Sequence, residues 1–501
     1  MEQDKGVRFT PPPPQANLAS TEKTSGEVAA VGLSRLRPTG CFGEICPSNM
    51  AIDDAAQIRI AICGAGISGL ALAAFLANLD HESQLSVDLY ESSEEVRMSG
   101  AGIAVWKRYW DLLRDELGFE HACVDLGFSA PDWTQVKGPV VRKSDTAGAE
   151  GHHFCALSHG PTVIPRSAMS SIFAGKLDPS RCGLHLRRRL AHYDETTAPD
   201  GRTTTVLRFE DGTKAECDLL VGADGVFSRV RRVLFRDQPD LARHHFSGQL
   251  AYRMSCNAEA VQRLRAAKSD HAALRGFTIW SGRGKHVTSN LVGDQIQMSA
   301  WDNVSEEVLS AWSDTKVCDV PRESVSHLFR SWEPDLVSLL NHAGDTASRW
   351  PIYVAARLPR FVKGGHVALV GDAAHGMTPH QGLGGGQGIE DAFVLASLLT
   401  HPDARRGVLP DVLATYDEVR RPASQRVADQ SLANGHNFAF LGSSGNGDHP
   451  CLTTIRQELV TACDWLMDDD GNCKGEADKA RALLETRLRS GHGHGLFDAT
   501  R

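Results

Sequence analysis

Residues 57–91 carry the pattern that most constrains the fold of this 501-residue chain. A short apolar run is followed by Gly64-x-Gly66-x-x-Gly69, an Ala/Leu-rich segment, and a second apolar run that ends at Glu91. Strand, glycine turn, helix and strand in this order predict a βαβ unit of a parallel sheet. We expect Gly64 to allow a tight turn, Gly66 to let a pyrophosphate approach the backbone, and Gly69 to let helix and strand pack closely. Glu91 stands where an acidic residue binds a ribose hydroxyl, so the pattern predicts dinucleotide binding.

A second motif begins with a buried-strand run at Val367 and reaches a carboxylate at Asp372. A Pro- and Gly-rich loop follows, and an amphipathic helix is predicted to begin near Gly386. The first N–H groups of a helix have no partner within the helix and readily bind an anionic or polar group. The motif therefore predicts a cofactor site.

A third motif, Asp224-Gly225, ends the apolar run at residues 219–222 and precedes another predicted helix. An ordinary Asp-Gly turn at the end of a strand is the alternative interpretation. Its position between the first two motifs favours a role at the same site.

Apolar and polar residues alternate in several runs between residues 246 and 350, which predicts an antiparallel sheet. Between residue 100 and Arg166 we expect helices alternating with loops. The return of a parallel-type strand at Val367 indicates that the sheet is inserted into the first domain. Beyond Leu399 the sequence predicts helices to about residue 435 and again at residues 477–488.

The net charge of −9 argues against nucleic-acid binding, and the basic run at residues 187–189 is interpreted as solvated surface. No run of about 18 apolar residues occurs, so no membrane span is predicted.

Twelve cysteines without metal-like pairing indicate a reduced, cytoplasmic protein. Cys41 and Cys46 are a weak zinc or disulfide signal with no second pair of ligands nearby, so no metal is predicted. Residues 1–56 are polar and Pro-rich and are predicted to be disordered.

The three motifs in this order resemble those of the group A flavin-dependent aromatic hydroxylases, over roughly residues 57–430. Residues 372–382, Asp-Ala-Ala-His-Gly-Met-Thr-Pro-His-Gln-Gly, are especially similar to salicylate hydroxylases and their fungal relatives. The resemblance implies an α/β fold in which a Rossmann-type, GR2-like FAD-binding domain carries an inserted antiparallel-sheet substrate domain and a helical C-terminus. The predicted domains are a disordered extension at 1–56, an FAD-binding domain at 57–240 and 351–400, a substrate-binding sheet at 241–350, and a helical region with a tail at 401–501.

The same resemblance implies cofactor contacts for individual residues. Glu91 would bind the adenosine ribose, Ala104 would line the cofactor, and Arg166 would contact FAD. Arg97 matches an arginine often found after the acidic residue, with a surface salt bridge as the alternative.

The other two motifs supply the remaining implied contacts. Asp224 and Gly225 would lie near both the pyrophosphate and the nicotinamide nucleotide. Asp372 and Gly385 would hold the ribityl chain and the ring, and the helix N-terminus after Gly384 would stabilise negative charge on the reduced flavin.

No second dinucleotide fingerprint is present, so the resemblance implies that FAD is bound and that NAD(P)H visits as a transient co-substrate. The implied reaction uses NAD(P)H and O2 to hydroxylate a small electron-rich aromatic compound. The protein is expected to be a monomer or a homodimer.

Two residues are predicted to act on the substrate. Arg253 matches an arginine that the family directs into the cavity, where a guanidinium can pair with a carboxylate or phenolate. An arginine that extends to the edge of the sheet is the alternative. Tyr353 falls where salicylate hydroxylases place a residue facing the substrate, with core packing as an equal alternative.

Two departures from the family pattern concern the cavity. Asn290-Leu291 stands where several dearomatising fungal relatives have Tyr-Pro, which weighs against a reaction that relies on that phenol. Trp106-Lys107 replaces a frequent Pro-Asn pair and leaves the shape of the cavity open.

Other functions fit the sequence less well. Hydrolase chemistry lacks a GxSxG motif, since Ser68 belongs to the nucleotide turn. A flavin halogenase would need a longer tryptophan motif than the fragment at Trp350. An epoxidase, a tailoring hydroxylase of a polyketide or isoprenoid, and a catalytically silent FAD-binding interaction protein remain alternatives.

Overall fold

The computed structural model describes residues 57–96, 102–197, 203–305, 307–308, 317–443, 445, 451–468 and 472–490. The predictions for the N-terminal extension, for Cys41 and Cys46, and for Arg97 lie outside these residues.

Nineteen strands occur in the described residues. The first ten are β1 (Ile58–Cys63), β2 (Leu85–Tyr90), β3 (Ile103–Val105), β4 (Val140–Lys143), β5 (His152–Ala156), β6 (Thr162–Ile164), β7 (Cys182–His185), β8 (Leu190–Thr197), β9 (Thr203–Phe209) and β10 (Lys214–Cys217). The others are β11 (Leu219–Gly222), β12 (His244–Cys256), β13 (Thr278–Gly282), β14 (Lys285–Val292), β15 (Gln295–Asn303), β16 (Cys318–Pro321), β17 (Thr346–Ala355), β18 (Val362–Lys363) and β19 (Val367–Leu369).

The α-helices are α1 (Ile67–Leu79), α2 (Lys107–Leu117), α3 (Phe119–Asp125), α4 (Arg166–Ala174), α5 (Arg229–Leu234), α6 (Pro239–Ala242), α7 (Ala258–Ala267), α8 (Arg322–Leu328), α9 (Pro334–Asn341), α10 (Asp372–His375), α11 (Gly384–Leu399), α12 (Leu409–Phe438), α13 (Leu452–Thr461) and α14 (Cys473–Arg489).

The first sheet is the parallel sheet that the βαβ pattern predicts. Its strand order is β18-β19-β11-β1-β2-β7, and all its pairs are parallel except β18 with β19. β1 is buried almost throughout because helices such as α1 and α5 cover the sheet, which explains its nearly continuous apolar sequence. The carboxyl ends of β1, β11 and β19 therefore lie side by side, and each is followed by one of the three motifs.

The second large sheet has eight strands in the order β16-β17-β12-β15-β14-β13-β4-β5. Its neighbours are antiparallel except β4 with β13. One face packs on a core that includes Leu250 and Met254 of β12 and side chains of α7, α8 and α9. Because side chains alternate along a strand, Ala251 and Arg253 lie on the opposite face.

The expectation of helices and loops between residue 100 and Arg166 is wrong, because β3 to β6 lie in this segment. β4 and β5 join the second sheet although the sequence prediction assigned their residues to the first domain. Their exposed and buried positions do not alternate regularly, so the sequence carried no period-2 signal there. The domain boundaries themselves stay a prediction.

The C-terminal region is helical, as predicted. α12 spans 30 residues, and α14 contains the predicted helix at residues 477–488. Within the described residues, no helix is long and apolar enough to cross a membrane, and no cluster of three or more His, Cys, Asp or Glu side chains could hold a metal ion. The ten described cysteines are unpaired.

Candidate functional site

The turn after β1 has the tight geometry that its glycines allow. Gly64 has φ +110° and its N–H donates to Tyr90 O at 2.7 Å. A Cβ at Gly64 would collide with Ala223 O, and one at Gly69 would collide with Gly64 O. Both positions are therefore restricted to glycine by the close approach of α1 to the turn and to the end of β11.

The N-terminus of α1 is open. Its N-cap is Gly66, no side chain caps it, and its first turn carries no acidic residue. The atom nearest to a Cβ placed at Gly66 would be Arg166 Nη2, at 3.9 Å. Unpaired N–H groups beside a guanidinium form a site suited to a phosphate group.

Glu91 follows β2 and lies against the same turn. Its Oε2 accepts a hydrogen bond from Ala65 N at 3.0 Å, and its Oε1 accepts one from Ser93 N at 2.8 Å. The carboxylate is thus fixed beside the turn, and its remaining lone pairs are suited to ribose hydroxyls.

Asp224 caps the helix that follows it. Its Oδ2 accepts hydrogen bonds from Arg229 N at 2.6 Å and Val230 N at 3.2 Å, whereas its Oδ1 is buried without a partner among the described residues. Burial raises the pKa of Asp224, against the opposing effect of its hydrogen bonds with Ser228 and the backbone of α5. Gly225 has φ +78°, which directs the chain around the carboxylate.

Asp372 and the start of α11 form the third part of the site. Asp372 is exposed, and its Oδ1 lies 3.7 Å from the position that a Cβ of Gly384 would occupy. α11 begins two residues earlier than predicted, with no side-chain cap and no acidic residue in its first turn. An uncapped helix N-terminus and a carboxylate with no hydrogen-bond partner among the described residues lie together at this point.

β3 borders the same loop. A Cβ at Gly382 would lie 2.7 Å from Ala104 Cβ, and one at Gly385 would lie 3.2 Å from Ile103 Cγ2. The structure therefore brings Ala104 close to the loop that leads into α11.

Arg231 is a residue of this site that the sequence prediction missed. It is fully buried, and its Nη1 donates to Ala373 O at 2.8 Å while its Nη2 donates to Val226 O. Burial lowers the pKa of Arg231 to about 10. The side chain links the loop after β11 to the short helix α10, a contact that only the tertiary structure reveals.

Arg253 lies on the face of the second sheet that points away from the core. This face also carries Gln249 and Trp301, and we call it the polar face. Its guanidinium carbon is 4.7 Å from the ring centre of Trp350, and burial lowers the pKa of Arg253. Within the described residues Arg253 forms no ion pair. A desolvated cation without a carboxylate partner is suited to an anionic ligand.

Tyr353 is not brought next to Arg253. Its ring packs against Phe227, His244 and Phe246, with ring centres 5.8, 4.8 and 6.2 Å away. Ser348 of β17 is the register partner of Arg253. Because side chains alternate along a strand, Tyr353 lies on the other face of β17. These contacts favour the packing alternative, and a substrate contact stays a prediction.

The sequence prediction also missed three residues on the polar face, His286, Trp301 and Gln249, and His380 on the loop that packs against it. His286 is fully buried with both ring nitrogens unpartnered, and it stacks on Trp301 at 5.7 Å, whose Nε1 also lacks a partner among the described residues. The ring of His380 lies 4.7 Å from that of Trp301, and His380 Nε2 donates to Gln249 Oε1 at 2.7 Å. Burial lowers the pKa of His286 well below its usual value and lowers the pKa of His380 to about 3, so both imidazoles are neutral.

The arrangement fits FAD. A dinucleotide with a polyol chain requires hydrogen-bond donors and acceptors. The site offers them in the open N-termini of α1 and α11, the guanidinium of Arg166 and the exposed carboxylate of Asp372.

The comparison with known proteins supports an FAD site. The profile of the FAD binding domain family matches residues 57–431, and the chain belongs to that family.

Its relatives define the class of enzyme. Salicylate hydroxylase of Pseudomonas putida is 30% identical over 456 residues, which cover 89% of this chain and 98% of that protein. FAD-dependent monooxygenase str9 of Strobilurus tenacellus is 30% identical, covering 88% of this chain and all of that protein. A solved salicylate hydroxylase in a substrate complex superimposes with a TM-score of 0.70 and 26% identity, over 85% of this chain and 98% of that one. The protein is an FAD-dependent monooxygenase, and the predicted fold class is confirmed.

Proposed function

We propose that this enzyme uses NAD(P)H and O2 to hydroxylate a small, electron-rich aromatic compound that carries a polar or anionic substituent. The observation that carries the proposal is the contact between His380 and Gln249, because it joins the loop that leads into α11 to the polar face of the second sheet. A compound held on that face would lie beside the proposed flavin site. The names of the salicylate hydroxylase relatives support an aromatic substrate.

Flavin supplies the chemistry of oxygen transfer when it is bound, and the protein binds and orients the reactants. The guanidinium of Arg253 is suited to hold an anionic substituent. His380 donates its Nε2 proton to Gln249, so its Nδ1 carries the lone pair and is suited to accept a hydrogen bond from a ring hydroxyl of the substrate.

The start of α11 has a matching role on the cofactor side. The unpaired N–H groups at Gly384 and Gly385 and the positive end of the helix dipole favour negative charge next to them. Aromatic side chains such as Trp301 exclude water from the neighbouring sheet face.

NAD(P)H is proposed to visit near the Asp224-Gly225 turn. Phe227 is 54% exposed there, and its ring lies 4.6 Å from that of His244. Burial and the nearby cations Arg232 and Arg231 lower the pKa of His244. An exposed aromatic ring among cations is suited to a nicotinamide ring and its phosphates.

Purified protein tests the proposal. It should be yellow, and a panel of hydroxybenzoates, phenols and anthranilate should contain compounds that stimulate oxidation of NADH or NADPH. With 18O2, one labelled oxygen atom should enter the product, as mass spectrometry would detect. Oxidation that no aromatic compound stimulates would contradict the proposal and favour a silent FAD-binding protein, and stimulation by isoprenoids alone would favour an epoxidase.

A further inference from the structure

A cluster of buried charges lies behind the Gly371-Asp372 turn. It consists of Glu390 and Asp391 on α11, Arg420 on α12, Arg108 on α2 and His375 at the end of α10. Each of these side chains is almost completely buried.

Asp391 differs from the rest because it contacts the turn itself. Its Oδ2 accepts hydrogen bonds from Gly371 N at 2.9 Å and from His375 Nε2 at 2.6 Å. Its Oδ1 accepts one from Arg420 Nε at 2.9 Å. One carboxylate oxygen therefore binds both ends of the short helix α10, and Asp372 lies between those ends.

The turn depends on such external support. Gly371 has φ +59° and ψ −142°, a conformation that side-chain-bearing residues rarely adopt, and a Cβ there would collide with Ser68 Oγ. α10 has four residues and no side-chain cap. A helix of this length is too short to be stable by itself. The carboxylate of Asp372 makes no hydrogen bond within the described residues, so its direction follows from the backbone of the turn.

Glu390 provides a natural comparison. It is equally buried on the same helix, and its Oε1 lies 3.3 Å from Arg420 Nη1 and also pairs with Arg108. Its Oε2 accepts from Gln387 Nε2 at 3.2 Å. Glu390 thus shares the buried ion pairs of Asp391, but among the described residues it makes no hydrogen bond or ion pair with Gly371 or His375.

We propose that Asp391 is a positioning residue for FAD: through Gly371 and His375 it holds the turn that aims the Asp372 carboxylate at the cofactor. The proposal rests on FAD binding and not on the identity of the aromatic substrate. It assigns the charge cluster a role in cofactor affinity in addition to stability.

Asp391→Asn and Glu390→Gln are the matched variants. Asparagine offers one oxygen, so it cannot accept from Arg420 and from the two donors of the turn together. We expect Asp391→Asn to raise the Kd for FAD by about tenfold or more and Glu390→Gln by less than about threefold, although both lower the melting temperature of the apoprotein. Equal effects of the two variants on the Kd would overturn the proposal.

A double-mutant cycle tests whether Asp391 acts through Asp372. In an Asp372→Ala background, Asp391→Asn should raise the Kd for FAD by less than about threefold, because the carboxylate that it positions is gone. Flavin fluorescence during titration of the apoprotein measures these constants. Full additivity would show a structural role only and would overturn the proposal.

His375→Ala keeps the test decisive if Asp391→Asn does not fold. This variant removes one of the two contacts to α10 and retains the ion pair of Asp391 with Arg420. We expect a smaller rise in the Kd for FAD that again disappears in the Asp372→Ala background. Additive effects, or an unchanged Kd for FAD, would count against the proposal.

Discussion

His380 Nε2 lies 2.7 Å from Gln249 Oε1, and this hydrogen bond joins the loop ahead of α11 to strand β12. Gln249 is itself oriented by Asn303, whose Oδ1 accepts from Gln249 Nε2 at 3.1 Å. The tautomer of His380 is therefore fixed by side chains of the sheet. We therefore expect a substitution of either residue to affect both the loop and the strand.

We expect His380→Ala to lower kcat/KM for the aromatic substrate by about threefold to tenfold, because the substrate hydroxyl loses one hydrogen-bond acceptor, with unchanged FAD content. Gln249→Leu should have a smaller effect, and the double variant should be no worse than His380→Ala because the two residues act as a unit. Steady-state kinetics measure all three. His153→Asn, at an exposed position of β5, is the control. A fully additive double variant would separate the two residues.

The buried histidines predict an acid-sensitive fold. The pKa of His380 is lowered to about 3 by burial, whereas an unfolded histidine titrates near about 6.5. Between these two pH values the unfolded chain binds more protons than the folded protein. The contribution of His380 to the free energy of unfolding is therefore greatest above about pH 6.5 and decreases as the pH is lowered towards 3. The pKa of His286 is lowered in the same direction.

We expect His286→Phe to reduce this loss of stability on acidification. Urea unfolding of the wild type and of the variant at pH 7.5 and pH 5 measures the difference. Each buried histidine contributes at most about 1.4 kcal/mol per pH unit in this window. A variant with the same pH dependence as the wild type would show that His286 is protonated in the folded protein.

We expect Asp372→Ala to be folded but poor in FAD. The carboxylate is exposed next to the start of α11 and is predicted to accept hydrogen bonds from ribityl hydroxyls. Charge-assisted hydrogen bonds of this kind correspond to roughly tenfold to a hundredfold in affinity. Flavin content after purification and titration of the apoprotein measure the change. Wild-type affinity in this variant would remove Asp372 from the cofactor site.

We expect Phe227→Ala to raise the KM for NAD(P)H several-fold while FAD content and the KM for the aromatic substrate stay unchanged. The exposed ring beside His244 is the proposed surface for the nicotinamide nucleotide. Stopped-flow reduction of the bound flavin at several NAD(P)H concentrations separates binding from hydride transfer. Val124→Ala, at another exposed apolar residue, is the control. Equal kinetics in both variants would place the nucleotide elsewhere.

The nucleotide turn could be predicted from the sequence because its chemistry is local. Gly64, Gly66 and Gly69 lie within six residues, and the turn that they allow needs little from the rest of the chain. The parallel sheet followed from the same pattern. The start of α11 was predicted to within two residues because a glycine-rich loop and a long apolar helix adjoin there.

The polar face of the second sheet could not be predicted in the same way. His286 and Trp301 face each other because β14 and β15 pair in one particular register, and neither residue belongs to a motif. Arg231 was missed for a similar reason, since its burial depends on a loop about 140 residues further along the chain. Tyr353 was assigned by resemblance alone, and the bulge in β12 near Gly248 separates its neighbours from those of Arg253.

Arg253 carries the most specific prediction about the substrate. Its guanidinium lies over Trp350 on the polar face, and it has no ion pair within the described residues. We expect Arg253→Met to raise the KM for an anionic aromatic substrate and to lower kcat/KM roughly thirtyfold or more, because one member of a desolvated charge pair is lost. Arg263→Met, at a surface ion pair of α7, is the control and should leave the kinetics unchanged.

A comparison of substrates identifies the group that Arg253 binds. An arginine that binds a carboxylate should penalise only a carboxylated substrate and spare its decarboxylated analogue, whereas one that binds a phenolate should penalise both. FAD content should stay at the wild-type level in either case, since the side chain lies on the sheet and not at the nucleotide turn. A fall in FAD content would indicate a structural arginine instead. Unchanged kinetics across benzoates and phenols would remove Arg253 from the active site.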